Sequence, residues 1–240
     1  MWDMFFLLEP ITWRRKTYGL LSVILISVGV AGCSERVVDA PPAKVAFESS
    51  LFRILDVNVP PGTTLQHSYP NGVAMVVMTD GARIRMKPTG KNWSEESTPG
   101  LGSTTLAEPG EHAVQNVGEK GFQLLALENL RPGGGSTEQP LAKGMTLAGE
   151  SASLRAYDAQ LTDANTQFSH VHAAPALTIL VEGRVLSQGP ENKDKTIGEV
   201  VSGLKQLDSP GQWVFVPAGG AHHIVRLGLD RTHVVEIELR

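Results

Sequence analysis

The sequence predicts an all-β protein: two similar barrels in tandem behind a cleavable N-terminal signal segment. Three observations predict it. Beyond residue 45 helical periodicity is almost absent, and short runs with β-branched residues or alternation are bounded by Gly, Pro, Asn and Asp. These runs recur in the same order in two halves of roughly 90 residues each. Ahead of both lies one apolar stretch that is too short to span a bilayer.

The N-terminus comes first. Arg14, Arg15 and Lys16 form a positive cluster, and the uncharged stretch 17–32 follows it. Its sixteen residues suit a secretory h-region. The stretch ends in Val30-Ala31-Gly32-Cys33, and Cys33 is the sole cysteine of the chain. This tetrapeptide resembles the lipobox of bacterial lipoprotein precursors, which implies a signal peptide over 1–32 and lipidation at Cys33. Acyl chains there bury methylenes at ~0.8 kcal/mol each, enough for a stable membrane anchor. Ser34 after the cysteine implies the outer membrane over the inner, with the body facing the periplasm. Residues 33–45, with Pro41-Pro42 and no periodicity, read as a tether.

The body is compositionally ordinary, with 41% hydrophobic and 19% charged residues, so it belongs among globular chains. Net charge is −4, and no basic stripe stands out, which disfavours nucleic acid as a partner.

The strand-like runs of the first half (46–131) are 51–59, 73–79, 82–86 and 123–127. Those of the second half (145–240) are 153–161, 177–181, 184–186, 213–216, 224–227 and 233–239. Between the halves, 132–144 contains Pro132-Gly133-Gly134-Gly135 and reads as a linker. His67-Ser68-Tyr69 with Asp80-Gly81 parallels His170-Val171-His172 with Glu182-Gly183. Pro109-Gly110-Glu111-His112 parallels Pro217 to His222.

His170 and His172 are two apart on a strand-like segment, so their side chains leave one face. His222 follows the turn Pro217-Ala218-Gly219-Gly220, which is expected to return it antiparallel to strand 213–216. Three neutral imidazoles make a facial ligand set for Fe, Mn, Ni, Cu or Zn. His223 faces the other way. His233 shares a face with Val235, Ile237 and Leu239, which turns it toward a pocket if that face points inward. Arg226 is a candidate to orient a substrate carboxylate, or to pair with Glu236 or Glu238. The segment 188–210 is long for a hairpin connection and is expected to wall the site.

The second half resembles the cupin superfamily over about 145–240. The first cupin motif is Gly, five residues, His-x-His, three or four residues, Glu, six residues, Gly. His170, His172 and Gly183 match it, whereas Ala176 stands where Glu is expected and Asn165 near the first Gly. The second motif is Gly, five residues, Pro-x-Gly, two residues, His, three residues, Asn. Gly211, Pro217, Gly219 and His222 match it, with Arg226 at the Asn position. The first half matches more faintly through His67, Gly81, Pro109, His112 and Asn116, with Tyr69 in place of the second histidine.

The resemblance implies two tandem double-stranded β-helix (jelly-roll) barrels. It implies one divalent metal, iron first, on His170, His172 and His222, and a thiol-dioxygenase-like site because the carboxylate is missing. Two imidazoles and a phenol suit a divalent ion poorly, so the first barrel is expected to be a metal-free support. A small-molecule ligand and a two-fold dimer also follow from the resemblance. A non-catalytic binding or scaffolding lipoprotein stands as the alternative, because fold does not fix chemistry.

Overall fold

Alternation of small runs of Val, Ile, Leu and Thr with glycine-bearing turns produces strands throughout. The computed structural model describes residues 43–131, 142–188, 204–219 and 221–240. The signal segment, Cys33, most of the tether, most of the linker and residues 189–203 of the 188–210 segment lie outside the described residues. Those described form strands and no helix.

In the first half the strands are β1 (Lys44–Glu48), β2 (Phe52–Val59), β3 (Thr64–Tyr69), β4 (Val73–Val77), β5 (Ile84–Lys87), β6 (Thr104–Ala107), β7 (Gly110–Asn116) and β8 (Phe122–Asn129). In the second they are β9 (Met145–Glu150), β10 (Leu154–Leu161), β11 (Gln167–Val171), β12 (Ala176–Glu182), β13 (Val185–Gln188), β14 (Leu204–Leu207), β15 (Trp213–Val216), β16 (Ala221–Arg226) and β17 (Thr232–Leu239). Each run expected from the sequence overlaps one of these strands. The unforeseen ones (β1, β3, β6, β7, β9 and β14) are polar segments such as TLQHSY and GEHAVQN, most of them at sheet edges. Polar residues on the inward face, such as His67 and His112, blur the alternation that a strand with one wet face otherwise shows. β1 begins at Lys44, inside the segment read as tether.

Each half folds one larger sheet over one smaller sheet. The first pairs β1-β2-β8-β4-β6 with β3-β7-β5, and the second pairs β15-β12-β17-β10-β9 with β11-β16-β13-β14. The turn after β15 therefore acts differently from expectation. β15 lies beside β12, while β16 lies between β11 and β13 in the other sheet. The connection carries the chain from one sheet to the other and does not close a hairpin.

The large sheets meet back to back. Their outward faces build one core cluster in which Phe52, Ile54, Ala74 and Leu127 of the first half pack with Leu177, Phe215, Val235 and Ile237 of the second. Phe52 and Phe215 stack at 5.6 Å between ring centroids across this seam. Each barrel also has its own inner core. Central strands are thus dry on both faces, which is why β17 is buried along its whole length.

His233 falls on the seam face and not in the barrel. Its ring lies against Gly102, where a Cβ would come within 2.1 Å of Cε1, and its Nε2 lies 3.1 Å from Asp158 Oδ1. Gly102 has φ +80 and supplies a close approach that only glycine permits. The opposite face of β17, with Val234 in the inner core and Glu236 and Glu238 beyond it, looks into the second barrel.

Candidate metal centre

Strand β11 and the residue after it bring His170 and His172 to one face of the small sheet. The β11–β16 register sets His170 directly opposite His222. His172 lies just past the strand end, where Gly219 N donates to its carbonyl at 2.8 Å. The expected three histidines therefore meet. Their rings are 4.5, 5.2 and 5.9 Å apart.

A fourth donor joins them. Glu236 of β17 places Oε2 2.7 Å from His170 Nε2 and 3.2 Å from His172 Nε2, and Oε1 3.2 Å from His222 Nδ1. One ligand atom from each of these four residues lies within 4.8 Å of all the others. The expectation of a carboxylate-free set is thus corrected. Ala176 is indeed not a ligand position, but the acid arrives from the other end of the half. Its signal in the sequence is a strand that alternates Glu236 and Glu238 with Val235, Ile237 and Leu239. Two carboxylates on one side of an otherwise apolar strand imply a positive partner inside.

The donors are held from behind. Thr178 Oγ1 donates to Glu236 Oε1 at 2.8 Å, and Ser187 Oγ lies 3.0 Å from His222 Nε2. Glu238 stands behind His172, with Oε1 3.8 Å from Nδ1, and it accepts from Ala174 N at 3.3 Å and from Tyr157 OH at 3.4 Å. Arg155 links Glu238, at 3.6 Å, to Glu150 near the surface. Partners of this kind orient ligands and tune their basicity.

Electrostatics favour a cation here. Glu236 and His222 are fully buried. His222 Nδ1 and Glu236 Oε2 lie within 3.2 Å of other donors of the cluster but make no well-directed hydrogen bond. Buried polar atoms left unpaired cost about 1–3 kcal/mol each, and a metal ion on converging lone pairs removes that cost. Burial disfavours charge on His172, yet Glu236 and then Glu238 outweigh it and raise the ring to about 9. Burial likewise opposes the Glu236 carboxylate, but the surrounding imidazoles hold it well below the usual range. The donor set of three nitrogens and one oxygen fits a first-row divalent ion.

Comparison with solved structures places this architecture. AerE from Microcystis aeruginosa superposes with a TM-score of 0.53 at 10% identity, over 79% of this chain and 87% of that one. An oxalate decarboxylase from Lactobacillus farciminis, solved as a formate complex, gives 0.55 at 9% identity over 78% and 76%. The oxalate decarboxylase of Bacillus subtilis gives 0.54 at 12% identity over 79% and 68%. The fold is a bicupin. No family model matches the chain, and no curated protein matches it. Within this fold the three histidines and Glu236 form a group in the second barrel that could hold a metal ion.

Other candidates fall elsewhere in the bicupin. Arg226 lies four residues past His222 and reaches Asp163 at 2.6 Å, so it pairs with neither Glu236 nor Glu238. His223 is exposed. Asn116, at the second-motif Asn position of the first barrel, is fully buried. It donates to Val59 O and Lys120 O and accepts from Gly118 N, which ties a turn and not a ligand. Of the 188–210 segment, β14 pairs with β13 and extends the small sheet.

Proposed function

We propose that this chain is a membrane-tethered periplasmic bicupin whose second barrel is a metal-dependent, dioxygenase-like site for a small molecule. The observation that carries the reading is the meeting of His170, His172, His222 and Glu236, each with one ligand atom within 4.8 Å of the others. Iron is the ion we favour, because imidazole and carboxylate with open positions are the ligands of oxygen-activating iron sites. Bound there, the ion would supply Lewis acidity and open positions for a substrate oxygen donor and dioxygen. Glu236 lowers the net charge of such a site to +1, which still attracts an anionic oxygen donor. Thr178 and Ser187 hold Glu236 and His222 in place, and Phe168 lies beside His170 with centroids 5.5 Å apart and ring planes tilted by 33°, giving the substrate an apolar wall. Lipid at Cys33 fixes the body to the envelope, the outer membrane being favoured by Ser34.

Metal quantified by mass spectrometry in the body 34–240 tests the centre. Near-stoichiometric first-row metal is expected, and His170→Ala is expected to lose most of it. Equal metal in both proteins would overturn the assignment. Metal without oxygen uptake on thiols, phenols and keto acids would defeat the oxygenase reading and leave small-ligand binding. Labelled fatty acid is expected in the full chain and absent from Cys33→Ser. Label retained in the variant would refute the tether.

A further inference from the structure

The pairing registers give the two barrels a residue-by-residue correspondence. β3 and β7 set His67 opposite His112, as β11 and β16 set His170 opposite His222. Tyr69 then occupies the place of His172. Leu55 faces Ala126 on β2 and β8, as Tyr157 faces Glu236 on β10 and β17, so Ala126 takes the place of the acid. The residues behind the donors change as well. Thr178, which faces Glu236, corresponds to Met75, which faces Ala126. Ser187, which faces Ile224, corresponds to Met86, which faces Val114.

The liganding acid and both supporting hydroxyls of the second centre are therefore absent from the first, and two thioethers stand where the hydroxyls stood. His67, His112, Tyr69, Met75 and Met86 line one cavity of about 20 Å3, close to the space of a single water. Glu128, the counterpart of Glu238, is tied to Arg53 and does not line it. His112 donates Nε2–H to Glu108 O at 2.7 Å, which leaves the Nδ1 lone pair available. Burial pushes the Tyr69 phenol up to about 12, so it remains a neutral group. A hard divalent ion does not fit this set. The lining holds no anionic ligand, and the cavity has no room for a hydration shell. A soft, bare monovalent ion does fit, because thioether and imidazole are the donors it prefers and a single charge is cheaper to bury among neutral ligands.

We propose that the cavity of the first barrel is a soft-metal site that takes one Cu(I) ion through Met75, Met86, His67 and His112. It replaces the expectation of a metal-free barrel, which rests on divalent chemistry alone. This site is independent of the centre in the second barrel.

The test uses the full chain carrying His170→Ala, so that the second centre is disabled, titrated anaerobically with Cu(I) buffered by bicinchoninate. One equivalent is expected to bind. Adding Met75→Leu and Met86→Leu, which keep side-chain volume, is expected to weaken binding by at least about 100-fold. Unchanged affinity in the leucine variant would overturn the proposal. X-ray absorption on the His170→Ala protein itself provides a readout that does not depend on how the leucine variant folds. A sulfur shell at about 2.3 Å supports the site, and a nitrogen-and-oxygen-only shell refutes it. Equal divalent metal in the unsubstituted and His170→Ala proteins would sink the preceding proposal and leave this one standing.

Discussion

Glu236→Gln is expected to cut divalent-metal affinity by more than about 100-fold, beyond the 10- to 100-fold typical for residues that merely support a ligand. The amide keeps the shape and can still accept from Thr178, so the barrel is expected to remain folded. It removes the carboxylate that, among the described residues, alone lies within 3.2 Å of all three imidazoles. The same residue sets the pH response. In the metal-free protein His172 titrates at about 9, against 6.5 for the free side chain, because Glu236 and Glu238 overcome its burial. A raised folded value means that this contribution to stability is fully present below about 6.5 and is lost as pH rises through about 9. Glu236 is depressed, so its contribution is present above its ordinary value of 4.5 and is lost as pH falls below it. Metal needs neutral imidazole, so ion uptake between about pH 7 and 8.5 is expected to release close to one proton. Calorimetry in two buffers of different ionisation enthalpy measures it. Proton release unchanged in Glu236→Gln would show that the His172 charge does not depend on this carboxylate.

Phe52→Ala is expected to destabilise the whole chain by about 3–5 kcal/mol, the cost of emptying a fully buried aromatic position. Phe52 is completely inaccessible and contacts Phe47, Trp213 and Phe215, two of them in the other half. Since the large sheets share one core, the loss is expected in a single cooperative transition seen by both halves. Urea unfolding followed by tryptophan fluorescence, with Trp93 in the first half and Trp213 in the second, reads it. Two separated transitions, only the first of them shifted, would mean that the barrels unfold independently and that the seam contributes little.

Much of the architecture is legible in the chain. Strands carrying Val, Ile and Leu announce themselves, and so does the duplication, because turn glycines and proline recur at matching distances. The His170-x-His172 pair is legible since its geometry is local: two residues apart on a strand means one face. His222 is legible through the spacing of Gly211, Pro217 and Gly219. Glu236 is legible only in part: its alternation with Glu238 on an apolar strand announces buried charge, but it lies 64 residues from His172 and nothing near it names its partners. The same ambiguity leaves open where the His233 face of the strand points, and the structure turns that face to the seam. Arg226 is drawn toward the carboxylates by chemistry alone, yet its own partner is Asp163 on a neighbouring loop.

By itself the sequence determined an all-β chain of two related halves and the histidines of the second. It carried this through local periodicity, turn chemistry and short spacings, all of which act within one or two strands. Only the tertiary structure decided which face of each central strand enters a barrel, that the large sheets are sealed back to back, and that Glu236 completes the cluster. Those outcomes depend on pairing register between strands far apart in the chain. Where both faces of a strand are dry, hydrophobicity no longer distinguishes inside from outside, and the buried carboxylate is placed by the partners it meets across the barrel.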